Sequence, residues 1–171
     1  MASFAIPVNA WVVPDGSSGN VAPAANRLKG TQTNAVHALA WLFDGGGSVI
    51  EQLYCTFIMP EEYVSGGSLL VTGTVNSTTS ANTVMQASVS ATSSGDADTF
   101  LEHAFSTAAT TTIANNTTEA RREIQGTITL NMNSAAAGDR ITIRLFRDPA
   151  HASDTNTSDF EFGGARFAFT A

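Results

Sequence analysis

A chain of 171 residues with 43% hydrophobic side chains and a formal net charge of −7 can bury one substantial core, and it is too apolar to be a disordered acidic tail. Lysine and arginine together number 8 against 15 acids, so there is no basic patch with which to grip nucleic acid or an anionic membrane. A single cysteine excludes an internal disulfide and a multi-cysteine zinc site, and charged residues, at 13%, leave Thr, Ser, Asn and Ala to cover most of the surface.

The opening run "MASFAIPVNAWVVPDGSSG" has no basic start and no apolar stretch of signal-peptide length, and no later segment is apolar enough for a membrane span. A soluble protein made and kept in the cytoplasm is the expectation. "VNAWVV", between Pro7 and Pro14, reads as a short edge strand. From Pro14 to Thr33 no periodicity is visible, and a structureless stretch of that length is expected to be functional or to pack on a partner. Residues 1–33 are therefore read as an N-terminal arm and residues 34–171 as the folded domain.

"AVHALAWLF" and "VIEQLYCTFIM" are strand candidates, and the "DGGGS" between them suggests a hairpin loop using positive φ. Leu53, Cys55, Phe57 and Met59 alternate onto one face, which makes Cys55 a buried core thiol. "SLLVTGTV" and "TVMQASVSA" continue the period of two, placing Leu69, Val71 and Val75, then Met85, Ala87 and Val89, inward. "ADTFLEHAFST" has the spacing of two helical turns, and "TAATTTIANNTTEA" reads as a low-complexity loop. "REIQGTITLNM" and "RITIRLF" return to strict alternation. In "DFEFGGARFAFT" the phase moves from Phe160 and Phe162 to Phe167 and Phe169, as a bulge at Gly163-Gly164 would produce. Eight or nine strands without long helices predict an all-β fold: a two-sheet antiparallel sandwich, with a jelly roll as its expected topology.

Chemistry is sparse. There is no G-x-S-x-G elbow and no phosphate loop, and Glu61-Glu62 would diverge on a strand. His37, His103 and His151 lack metal-site spacing. Asp154, Asn156 and Ser158 follow the rhythm of a calcium loop, but Asp159 and Ala165 stand where such a loop needs Gly and Glu, so a solvated Asx turn is expected. The sequence thus predicts no catalytic residue, no cofactor and no metal: a protein that is not an enzyme. Interface candidates remain. Arg144 lies on the outward face of its strand, and Arg147 and Asp148 close that strand before Pro149, each able to pair with a neighbouring strand or subunit. Trp11 can anchor the arm on a partner or cap the chain's own core.

"FIMPEEYVSGGSLLVTG", followed by "AAAGDRITIRLFRDPAHASDT" and a closing aromatic strand, resembles small β-sandwich virion proteins of tailed bacteriophages, over about residues 35–170. The resemblance implies a non-enzymatic structural protein assembled in the host cytoplasm and carried on the virion. It points to a head decoration (cement) protein that bridges major capsid subunits and associates with copies of itself, with a trimer favoured. The alternative is a carbohydrate-binding sandwich, free or as a phage adhesin, whose ligand would need aromatics from among Trp11, Trp41, Tyr54 and Tyr63.

Overall fold

Ten strands lie within the residues described by the computed structural model, namely 1–16, 19–29, 37–96, 103–115 and 119–171. They are β1 (Ala2–Pro7), β2 (Ala24–Lys29), β3 (His37–Phe43), β4 (Glu51–Ile58), β5 (Ser65–Val75), β6 (Ala81–Thr92), β7 (Ala109–Asn115), β8 (Ile124–Thr129), β9 (Arg140–Arg147) and β10 (Phe160–Thr170). Every pairing between these strands is antiparallel, and the isolated bridge of Val21 with Glu51 is parallel. One sheet runs β2-β3-β10-β5-β8 with β1 also on β10, and the other runs β4-β9-β6-β7. The expected two-sheet antiparallel jelly-roll sandwich is the fold found.

The core is where the two alternating patterns meet. Leu53, Ile143, Leu145, Met85 and Val89 from the four-stranded sheet face Leu69, Val71, Phe160, Phe162 and Phe167 from the six-stranded one, all within 1% of full burial. Residues of one parity point inward on each strand because successive side chains alternate across a pleat. The phase change in β10 is a bulge: Phe162 faces Gly73 and Gly164 faces Thr72, leaving Gly163 as the extra residue. Gly164 sits at φ 139°, a conformation that favours glycine.

Three local readings change. β3 and β4 lie in different sheets, so "DGGGS" is a crossing between layers and not a hairpin. None of its glycines takes a positive φ; Gly45 is instead required by close approach, since a Cβ there would overlap the backbone carbonyls of Asn156 and Ser158. "VNAWVV" is a 3-10 turn at Val8–Ala10 followed by a single bridge from Val12 to Tyr54. The low-complexity run after residue 107 contains β7. The expected helical turns fall partly on residues 97–102, outside the described residues, and 103–108 form no helix.

The N-terminal segment is built into the sandwich. β1 pairs with β10 from Ala2 opposite Phe169 to Pro7 opposite Gly164, on the same edge that β3 occupies at Phe160–Phe162. Phe4 meets Phe57 edge-on at 5.1 Å, and Ile6 is buried. The chain then crosses to the other sheet, where Val12 and Tyr54 exchange backbone hydrogen bonds of 2.8 and 2.9 Å and the Gln52 amide donates to Val21. β2 returns it to β3. The stretch read as structureless thus holds a strand, and residues 1–16 and 19–29 stitch the two sheets along one side.

Candidate functional site

The outer face of the four-stranded sheet carries the chain's most unusual surface chemistry. Even-numbered residues of β9 point away from the core, which puts Arg144 and Phe146 side by side on that face. The register places Tyr54 of β4 on one side of Arg144 and Ser88 of β6 on the other. The Arg144 guanidinium lies over both the Phe146 ring, at 4.9 Å, and the Phe105 ring, at 5.0 Å. Its Nε donates to Ser88 Oγ at 3.1 Å, and its charge lies near enough to the Tyr54 hydroxyl to act on it. Phe105 also meets Tyr54 at 6.0 Å between ring centroids. Burial pushes the Tyr54 hydroxyl above its ordinary pKa, with Asp15 adding to the shift and Arg144 opposing it.

Phe105 reaches this place because residues 103–106 continue the line of β7 along β6. The Ser106 amide donates to the Val89 carbonyl at 2.8 Å, the Val89 amide donates to Ser106 Oγ at 3.0 Å, and Ser90 Oγ donates to the His103 carbonyl. The face is therefore bounded by the Phe105 segment on one side and by the Val12 segment, on the edge of β4, on the other. Between them Thr56 and Thr142 share a hydrogen bond of 3.0 Å. The half-buried rings of Tyr54 and Phe105, the Arg144 guanidinium close to Phe105 and to the buried Phe146, and the hydroxyls of Thr56 and Thr142 form a surface with both stacking faces and directed donors.

Of the interface residues expected from sequence, only Arg144 belongs to this surface. Arg147 is fully buried and points inward, in phase with Ile143 and Leu145. It pairs within the chain: Nε and Nη2 reach the two carboxylate oxygens of Asp154 at 2.9 Å each, Nη1 donates to the carbonyls of Phe43 and Ser158, and Nη2 donates to that of Asn156. The Asp154 carboxylate also accepts the Val84 and Asn156 amides, so its lone pairs are taken. The residue 154–158 loop does contain Asx turns, with the Asp154 and Asn156 side chains turned inward and Thr155 and Thr157 exposed. Among the described residues no three His, Cys, Asp or Glu side chains gather as a metal site. Asp148 closes its own turn, its Oδ1 accepting the Ala150 amide. Trp11 is 2% exposed and meets Phe162 edge-on at 5.3 Å, so its ring is taken up by the chain's own core. Trp41 faces the turn at Val8, donating its indole N–H to that carbonyl at 3.2 Å.

Near Arg147, Glu51 is 7% exposed and accepts the Asp44 amide at 2.6 Å. Burial raises its pKa to about 7, Asp44 and Asp159 push the same way, and Arg147 and the Asp44 amide oppose them. Burial likewise raises the Asp159 carboxyl above its ordinary value. On the opposite sheet, Glu161 is held by Arg121 Nε at 3.0 Å and by the Thr74 hydroxyl.

No protein-family model and no curated protein matches the chain by sequence. Solved structures do resemble it. One is the native structure of a family 35 carbohydrate binding module from Clostridium thermocellum, at 12% identity and a TM-score of 0.51, with all of both chains covered. Another is the CBM22-1–GH10 part of an endo-1,4-beta-D-xylanase from Clostridium thermocellum, complexed with xylohexaose, at 13% identity and a TM-score of 0.50. There the match takes in 99% of this chain and 28% of the other. What is shared is the fold.

Proposed function

We propose that the chain is a non-catalytic carbohydrate-binding sandwich whose ligand lies on the outer face of the four-stranded sheet. The observation that carries this reading is the half-buried cluster of Tyr54, Phe105 and Arg144, seated on the buried ring of Phe146. A sugar ring offers C–H faces that stack on aromatic rings and hydroxyls that need directed partners, and this face supplies both, from β4, β9 and the Phe105 segment. The likeness in fold to carbohydrate-binding modules supports the reading without naming a ligand. The test is a glycan array with the intact protein and with Tyr54→Ala. Binding to one glycan class, weakened at least tenfold by Tyr54→Ala at unchanged melting temperature, supports it; silence on every glycan sinks it.

A second reading is a virion subunit that decorates a capsid and associates with copies of itself. It is favoured by a strip of exposed apolar residues along β4 and its entry: Val12, Val13, Val21, Val49 and Ile50, exposed between 38 and 60%. Native mass spectrometry and co-sedimentation with capsids decide it. A trimer that binds capsids supports this reading, and a monomer indifferent to them removes it.

A further inference from the structure

On the opposite face of the sandwich, Glu161 has the outward parity of β10, between the inward Phe160 and Phe162, yet it is 3% exposed. Arg121 and Thr74 cover it: Arg121 Nε lies 3.0 and 3.1 Å from the two carboxylate oxygens, and the Thr74 hydroxyl donates to one of them. Arg121 stands in the turn before β8 at φ 60°, a left-handed conformation that is strained for a residue with a Cβ. Strain of this kind gathers where a side chain has to be held in place. The Arg121 amide donates to the Val75 carbonyl at 2.8 Å, which fixes the turn beside Asn76, just past β5. A hollow of about 350 Å³ opens there, at the small end of the roughly 300–1,000 Å³ of ligand pockets. Asn26 of β2, Asn76, Arg121, and Ser158 and Asp159 from the approach to β10 converge on it, and Leu42 is its one apolar side chain among the described residues.

We propose that this hollow binds one neutral sugar residue by its hydroxyls, as a second site separate from the face around Tyr54. It goes beyond the reading above and does not depend on it. Every sugar hydroxyl both donates and accepts, so its partner site needs both kinds of group close together. Nε is the one Arg121 side-chain donor that a described residue engages, which leaves the Nη groups to a ligand. The Asn26 Oδ1 is taken by the Arg27 amide at 2.8 Å, and its Nδ2 adds a donor. Asp159 supplies an acceptor, and Asn76 and Ser158 supply both functions. No aromatic ring lines the hollow among the described residues, so recognition here is by hydrogen bonds and not by stacking. Charge excludes an acidic sugar: Glu161 matches Arg121, and Asp159 is left over with the charges of Asp44 and Glu161 acting on it.

The test is an NMR titration of the full chain with glucose, galactose, mannose, xylose and fucose, and with galacturonate. One neutral sugar should shift the Asn26, Asn76, Arg121 and Asp159 amide signals to saturation, and galacturonate should bind about tenfold more weakly or not at all. Arg121→Lys keeps a charge beside Glu161 but loses the fork, and it should weaken binding about tenfold. Asn76→Ala, at an exposed residue, should weaken it about threefold, and Thr127→Ala, exposed on β8, should change nothing. Binding indifferent to both Arg121→Lys and Asn76→Ala overturns the proposal, as does galacturonate binding as tightly as the neutral sugars. Signals at the hollow that no sugar moves overturn it too. If a glycan from the array then still shifts Tyr54 and Arg144, the first reading stands alone. A blank array with saturating shifts at the hollow sinks that reading and supports this one.

Discussion

A guanidinium taken fully out of water needs partners for all five of its N–H bonds, and Arg147 finds them in the Asp154 carboxylate and three backbone carbonyls. Removing one member of such a pair leaves the other charge buried and unmatched. Arg147→Met should therefore lower stability by about 3–5 kcal/mol in urea unfolding, and Arg147→Met with Asp154→Leu should recover part of the loss. Glu51 gives a prediction in pH. Its folded pKa, about 7, lies above its ordinary 4.5, so the folded state holds the proton more tightly. Its stabilising contribution is present in full below pH 4.5 and is lost as pH rises through 7. Glu51→Gln can still accept the Asp44 amide and does not titrate, so it should flatten that slope and raise stability at pH 8 by on the order of 2 kcal/mol. A chemical-denaturation series from pH 4 to pH 8 checks both statements. The inward aim of Arg147 was legible, because it shares the parity of Ile141, Ile143 and Leu145. Arg144 and Phe146 were legible as an outward pair for the same reason. Phe105 was not: it approaches from an irregular segment whose path depends on Val89 and Ser90, residues distant in sequence.

The elements that alternation reveals are those with one face in the core. β4, β5, β6, β8, β9 and β10 each put one parity of apolar residues into the core and are plain in the sequence, although β6 also buries Val84, Ser88 and Ser90 on its other face. β2 has no such signature because, at the sheet margin, Ala24–Arg27 are exposed on both faces. β7 buries only Ile113 and Asn115, too few to mark a period. β1 is short and ends at Pro7, and its partner edge on β10 is about 160 residues away in the chain. That distance is why the segment reads as an arm when only its neighbours in sequence are considered. β1 also covers a row of backbone donors and acceptors on β10 and the ring of Phe167. Deleting residues 1–7 should expose that edge, lower the denaturation midpoint and promote aggregation measurable by light scattering. Phe4→Ala, which leaves the pairing intact, should cost about 2 kcal/mol with little change in m-value. If both variants unfold like the parent, β1 contributes nothing to the sandwich.

For the molecule as a whole, the two sheets have different outer faces. The six-stranded sheet places the Glu161–Arg121 pair on its outside, where they are tied to one another and to Thr74. The four-stranded sheet presents aromatic rings and hydroxyls around two arginines, with the N-terminal segment along one border and Phe105 on the other. The jelly-roll sandwich follows from alternation and turn placement. A binding face does not, because it depends on cross-strand register, which no single strand encodes. Tyr54, Arg144 and Ser88 become one surface only once β4, β9 and β6 are laid side by side. The most direct test of that surface is an amide-resolved NMR titration with the glycan that binds best. The account predicts shifts concentrated at Tyr54, Thr56, Thr142, Arg144 and the Phe105 segment, saturating together. Shifts confined to the six-stranded sheet, or none with any glycan, would contradict it.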